Sequence, residues 1–278
     1  MTSMASTKSA RTPVELAALL IASDVRYFEL GARIDSIAGA RLAWMPGLAG
    51  MPAGCVVLDA DGWATRRDAA AALDVVEERV ASVGGCRVRL YFEKEIPAMA
   101  ETLQGRGYRS RDETGLLLLR RAPGADRVSL QQVEDAAGWA LKRALHVQCP
   151  DFPDGHDTTP ERWVELEHRK SQTGGLIPWL IRVGDVVAGT ACTIEQEDLL
   201  RLKNIVIHRA LRRRGIASAA VAAFGMMGER SGRTLGFFGV SGTPGERVYR
   251  RCGMTPVVRW VEWLGPPIPE QRLGEVTG

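Results

Sequence analysis

Leu199-Leu200-Arg201-Leu202-Lys203-Asn204-Ile205-Val206-Ile207-His208-Arg209-Ala210-Leu211-Arg212-Arg213-Arg214-Gly215-Ile216-Ala217-Ser218 is the stretch from which the fold can be read. Leu199 to Ile207 reads as a strand, and from Gly215 to Arg230 the apolar Ile216, Ala220, Phe224 and Met227 recur at helical spacing, giving one core-facing stripe. A strand that runs through a tight turn into a helix gathers several backbone N–H groups and the positive end of the helix dipole at one point, which is an anion site. Gly215 lets the backbone approach a pyrophosphate without an intervening Cβ, the small Ala217 keeps the next turn open, and Arg212, Arg213 and Arg214 can bond phosphate oxygens.

Working outward, Ile177 to Val183, Val186 to Ile194 and Leu199 to Ile207 form a meander of three strands, the first pair joined at Gly184-Asp185. A strand near Arg127 to Leu130, a helix Gln131 to His146 and a helix Pro160 to Lys170 precede it. After it come a buried strand, Leu235 to Val240, a helix opened by the capping box Thr243-Pro244-Gly245-Glu246 and closed at Gly253, and a strand Val257 to Leu264. The order is that of an α/β (α+β) fold, a mixed, mostly antiparallel sheet flanked by helices. The first half repeats the end of this plan with strands at Arg41 to Met45 and Cys55 to Leu58, a helix Arg67 to Ser82, a strand Arg87 to Phe92, a helix Pro97 to Gly105 and a strand ending at Leu119. Breaker-rich Arg121 to Ala125 separates the halves, which predicts a disordered tail at 1–11, domains at 12–121 and 125–265, and a C-terminal tail at 266–278.

With 278 residues, 45% hydrophobic and 25% charged, each half can own a core. A formal charge of +3 with interleaved signs argues against a nucleic-acid surface. No apolar run reaches the ~20 residues of a membrane span. Lys8 to Ala22 has basic residues before an apolar run, but Thr12-Pro13-Val14-Glu15 supplies an N-cap, a first-turn proline and a capping glutamate, so it reads as an amphipathic helix rather than a leader. Cys55, Cys86, Cys149, Cys192 and Cys252 are scattered and never spaced C-x-x-C, which implies reduced thiols and a cytoplasmic protein. The run His146 to Asp157 matches neither a calcium loop nor a zinc pair, so no metal is expected.

Arg212, Gly215 and Ala217 stand at the spacing Arg-x-x-Gly-x-Ala after the meander and before the amphipathic helix, with Tyr249-Arg250-Arg251-Cys252-Gly253-Met254 at a matching distance. In these features the second half resembles the GNAT (GCN5-related N-acetyltransferase) superfamily; Met254 departs from the aromatic residue usual there. The resemblance covers Ala125 to Leu264 and is faint over Tyr27 to Arg120. There Asp59-Ala60-Asp61-Gly62-Trp63-Ala64-Thr65 places two carboxylates where the phosphate turn would be, and Leu103 aligns with Tyr249. The resemblance implies two tandem GNAT-like domains, the N-terminal copy degenerate, with splayed fourth and fifth strands in the C-terminal one.

It further implies an N-acyltransferase that moves an acyl group, acetyl in the first instance, from acetyl-CoA or another acyl-CoA to an amine of a small-molecule acceptor. The pantetheine arm would lie between Asn204–Ile207 and Phe237–Ser241. Ile205, Val206 and Ile207, together with Arg212, Arg213, Arg214, Gly215, Ile216, Ala217 and Ser218, would bind CoA, and a backbone N–H near Ile205 or Ile207 would meet the developing oxyanion. Tyr249 would donate a proton to the departing thiolate. For the base, Glu195, Glu197, His208 and a water oriented by Asn204 stand as alternatives. Asp151, His156 and Asp157, in the loop between the two helices, and Ser241 are the acceptor-side candidates, and that loop suits a cationic or polyhydroxylated amine. The donor is open between CoA and the phosphopantetheine of an acyl carrier protein, and a noncatalytic acyl-CoA-binding regulatory module is the alternative from another class. Oligomeric state is not legible.

Overall fold

The computed structural model describes residues 11–48, 51, 54–58, 60, 63, 66–82, 89–92, 97–149 and 159–266. The first half comprises α1 (Pro13–Glu29), β1 (Arg33–Ile37), β2 (Ala40–Trp44), β3 (Cys55–Leu58), α2 (Arg66–Ser82), β4 (Arg89–Phe92), α3 (Pro97–Gly105) and β5 (Arg109–Leu118). The second comprises β6 (Ser129–Gln132), α4 (Ala136–Gln148), α5 (Pro160–Gln172), β7 (Ile177–Val183), β8 (Val186–Gln196), β9 (Leu199–Ile207), α6 (Ile216–Arg230), β10 (Thr234–Val240), α7 (Pro244–Arg251) and β11 (Met254–Leu264). Helix α1 opens on the capping box expected of it: Glu15 N donates to Thr12 Oγ1 at 3.3 Å and Thr12 N to Glu15 Oε2 at 2.7 Å. Among the described residues no helix is long and apolar enough to cross a membrane.

Two local expectations shift. Gln131 and Gln132 belong to β6, paired with Leu180 and Trp179, so α4 starts only at Ala136, where Asp135 Oδ1 accepts the Gly138 N–H at 2.7 Å. Gly215 precedes α6 in the left-handed conformation, φ 77°, rather than forming its first turn.

Among the described residues eleven strands share one sheet, in the order β1-β2-β3-β4-β11-β5-β10-β9-β8-β7-β6. The pairs β3/β4 and β9/β10 are parallel and the others antiparallel, so each half keeps the mostly antiparallel plan. The two expected sheets are nevertheless fused, because each half lends its last strand to the other. β5 pairs with β10, β11 pairs with β4, and β5 and β11 run antiparallel to each other from Leu118↔Met254 to Arg109↔Leu264. The consecutive Leu116, Leu117 and Leu118 explain the central place of β5, since a strand apolar at successive positions must be covered on both faces. Leu116 and Leu118 pack with Ile216, Ala220 and Phe224 of α6, while Leu117 joins Leu16 and Leu20 of α1 in a core shared by both halves.

Helix α1 lies over the seam closely enough to demand glycine beneath it. A Cβ on Gly115 would stand 2.4 Å from Val258 Cγ1, 2.9 Å from Phe238 Cε1 and 3.0 Å from Leu20 Cδ2. Gly115→Ala is therefore expected to lower the unfolding free energy by about 1–3 kcal/mol, the usual range for an overpacked core. Urea denaturation should show that loss in a single transition, because the core around Gly115 contains residues of both halves.

Candidate active site

β9 and β10 are paired only from Leu199↔Thr234 to Arg201↔Gly236 and then part. A cavity of about 1300 Å³ opens in the gap, lined from both sides of the sheet. At one end stands the arginine-glycine turn. Arg212 Nε donates to Ile207 O at 3.0 Å, Arg213 is left-handed at φ 62°, and Gly215 repeats that conformation at φ 77° before α6 begins without a side-chain cap. Gly215, Ile216, Ala217 and Ser218 line the cavity together with the exposed Arg212, Arg213 and Arg251. An uncapped first helical turn beside three guanidinium groups suits a polyanionic phosphate. Arg214 points elsewhere: its carbonyl accepts from Arg127 Nη2 at 2.9 Å, and its side chain borders a neighbouring hollow with Arg127, Val128 and Leu211.

Midway along the cavity β9 bulges. The register with β8 slips between Thr190↔Val206 and Cys192↔Lys203, and Asn204 takes φ 54°, a left-handed conformation that asparagine tolerates better than most residues. Its Nδ2 donates to Glu167 Oε1 at 2.7 Å, and Glu167 is ion-paired with Lys142 at 2.9 Å, both fully buried. Burial opposes both charges. Lys142 nevertheless holds its proton more tightly than usual, through Cys192 and Glu167, and Glu167 gives its proton up more readily, through Lys142 and His146. His146 Nε2 meets Thr190 Oγ1 at 3.1 Å, and burial, reinforced by Lys142, lowers its pKa to about 4. Asn204 is thus the surface end of a buried polar network, and the bulge it forms brings Ile205, Val206 and Ile207 to the cavity wall.

Tyr249, on α7, faces this segment across the cavity. It is 8% exposed, its ring centroid lies 4.1 Å from that of Phe237, and burial pushes its hydroxyl well above the ordinary tyrosine pKa, so that it stays protonated. Three other candidates do not reach the cavity. Glu195 is paired with Arg233 at 3.1 Å, opposite Leu200 where β9 has not yet left β10. His208 Nε2 bonds Gln148 Oε1 at 2.8 Å while its Nδ1 accepts from Ala210 N at 3.2 Å. Ser241 Oγ meets Thr114 Oγ1 at 2.7 Å on the face opposite Glu113. Asp151, His156 and Asp157 lie outside the described residues, as does most of Asp59–Thr65; Leu103, by contrast, is fully buried among α2 and α3.

At its other end the cavity forms a chamber beside α1 that the sequence reading did not single out. Tyr27, Arg111, Glu113, Trp163, Arg201 and Lys203 line it. Arg201 Nη2 reaches Asp24 Oδ1 at 2.8 Å and its guanidinium lies 4.5 Å from the Phe238 ring. Lys203 Nζ bonds the same Asp24 oxygen at 3.1 Å and stands 4.0 Å from the Tyr27 ring centroid. Arg111 Nε donates to Glu262 Oε2 at 2.9 Å, and Glu113 lies 3.4 Å from its Nη2. A signal was present: Arg201 and Lys203 alternate with leucines in β9, and Arg111 and Glu113 precede the leucines of β5. Charges at alternate positions of strands otherwise buried mark a polar cavity.

Residues 141–254 match the family model described as acetyltransferase (GNAT) family. Among solved structures the chain is similar to a conserved protein of unknown function from Staphylococcus epidermidis, with 12% identity over 86% of this chain and 95% of that one and a TM-score of 0.66. It is similar to a GCN5-related N-acetyltransferase from Kribbella flavida, with 17% identity over 90% and 96% of the two chains and a TM-score of 0.60. A third, a GCN5-related N-acetyltransferase from Sphaerobacter thermophilus, has 17% identity over 83% and 77% and a TM-score of 0.55. What the chain shares with them is the fold. No curated protein matches the sequence.

The buried imidazole has a measurable consequence. Because His146 has a folded pKa of about 4 against 6.5 for the free side chain, the unfolded chain takes up the proton first as pH falls. Stability attributable to His146 should be intact above pH 6.5, decline between 6.5 and about 4 by up to about 3 kcal/mol, and then level off. Urea melts at stepped pH should show that slope, and His146→Gln should flatten it.

Proposed function

We propose that this chain, whose residues 141–254 carry a GNAT acetyltransferase domain, transfers an acyl group from acyl-CoA to an amine of a small-molecule acceptor. The observation that carries the reading is the parting of β9 from β10 beside the turn Arg212–Ser218, which leaves one continuous cavity from a phosphate-binding helix end to a polar chamber. Its volume of about 1300 Å³ exceeds the roughly 300–1,000 Å³ of a single small-ligand pocket, as two reactants require.

In this reading the pyrophosphate rests on the N–H groups of Ile216 to Ser218, with Arg212, Arg213 and Arg251 on the phosphates. The pantetheine arm lies in the gap and bonds the strand edges as a missing strand would. The thioester carbonyl then meets a backbone N–H of the bulged segment Ile205–Ile207, aimed by the Asn204–Glu167–Lys142 network, and that donor stabilises the oxyanion as the amine attacks. Tyr249, kept neutral by burial, gives its proton to the sulfur as the C–S bond breaks.

Calorimetry with CoA, followed by thiol release from acetyl-CoA across a panel of amines, tests the reading; a folded protein that binds no CoA would refute it. Tyr249→Phe should lower kcat by ~10²-fold and leave CoA affinity unchanged, which distinguishes a proton donor from a ring that only packs. Gly215→Ala should weaken CoA binding about tenfold with little effect on kcat, since left-handed backbone costs a side chain about 1–2 kcal/mol. The added Cβ would also stand 3.0 Å from Arg127 Nη1.

A further inference from the structure

The chamber under α1 holds a balanced set of charges arranged unevenly. Arg111, Arg201 and Lys203 are matched by Asp24, Glu113 and Glu262. Asp24 and Glu262, with side chains 3% and 1% exposed, bind their cations from behind and do not line the cavity. Arg201, 1% exposed, is enclosed by Asp24 and Phe238. An incoming molecule therefore meets Arg111 and Lys203, with Glu113 beside them, between the aromatic Tyr27 and Trp163. A simple cationic amine would face two positive heads for one carboxylate, and a simple anion would face Glu113. A molecule carrying both charges satisfies all three groups at close range, where solvent screening is weak.

We propose that the acceptor is a zwitterion of the amino-acid class, its carboxylate held by Arg111 and Lys203 and its amino group by Glu113. This rests on the acyltransferase reading and deepens it. Glu113 is paired opposite Val240, at the end of the strand that lines the gap, so an amine held there stands next to the thioester. The ammonium first gives one proton to the Glu113 carboxylate, which passes it to solvent, and the neutral amine then attacks the thioester carbon to form the C–N bond. The C–S bond breaks and the thiolate takes the Tyr249 proton, while the second N–H proton, lost as the amide forms, leaves through Glu113 and solvent and restores the Tyr249 hydroxyl; the products are an amide, free CoA thiol and one released proton. Tyr27, Arg111 and Glu113 all come from the first half, which on this view builds the acceptor site of the second.

The test uses the full chain, acetyl-CoA and matched sets of an α-amino acid, its carboxamide and its decarboxylated amine, with aliphatic, aromatic and polar side chains. In the preferred set the amino acid should exceed the decarboxylated amine by about 10–100-fold in kcat/KM, the worth of one charged hydrogen-bonded contact. Lys203→Gln should shrink that gap to a few-fold through KM with CoA affinity unchanged, and Lys203→Arg should retain it. Glu113→Gln should lower kcat about 10²-fold for every acceptor and remove the low-pH limb of the kcat profile, with Glu113→Asp recovering part of the rate. Equal or better use of decarboxylated amines, or a gap that survives Lys203→Gln in a protein with an unchanged melting temperature, would overturn the proposal while leaving acyl transfer standing. CoA binding without acylation of any amine would overturn it as well, whereas failure to bind CoA would remove the function itself.

Discussion

The antiparallel pairing of β5 with β11 governs what the rest of the molecule can do. Beside it β5 also pairs with β10 and holds one edge of that strand from Leu235 to Val240. The other edge of β10 is then free to leave β9 after three residue pairs without the strand losing its place. Helix α1 lies across this seam, with Leu20 close against Gly115 and Gly236, so the shared core and the opening of the cavity are consequences of one arrangement. A gap in a sheet exposes backbone groups that must find partners, and it persists only where the flanking strands are held from outside.

The two ends of the cavity are built on different physical terms. At the α6 end the positive field comes from a helix terminus left uncapped after left-handed arginine and glycine, together with the guanidinium groups of Arg212, Arg213 and Arg251. Under α1 the charges are of both signs, carried by side chains matched in ion pairs and partly buried. Between them the Lys142–Glu167–Asn204 chain sits in the packed interior, where removing one partner would strand a charge. That chain ties the bulge in β9 to the packed interior.

Much of this was legible in the sequence because it is local. The turn at Arg212–Gly215, the meander before it and the placing of Tyr249 each depend on residues a few positions apart, and the helix caps at Thr12 and Thr243 follow from single side chains. The exchange of strands depends instead on pairings between residues more than a hundred positions apart, 118 with 254 and 113 with 240, which no local pattern encodes. The chamber was missed for the same reason, since its charges are contributed by α1, β5, β9 and β11 and converge only in space. Glu195 and His208 were attractive as ionisable residues near the right strand, but β9 departs from β10 after Arg201, so Glu195 lies beside the closed end, and His208, just past the open end, is engaged by Gln148 and Ala210.

The exchange also bears on how such a chain comes into being. Strand β5 leaves the ribosome well before its two neighbours, which lie at 234–240 and 254–264. Until they arrive, a strand with three consecutive leucines has both edges unpaired, the kind of segment that invites association between nascent chains. Pairings of such long sequence separation also form slowly, since the loop between them must close before any contact rewards it. The first half is thus completed by the last residues of the second. A truncated product of synthesis would lack the closing strand of its N-terminal sheet, and chaperones that shield exposed strand edges would have most to do in the interval before β11 is made.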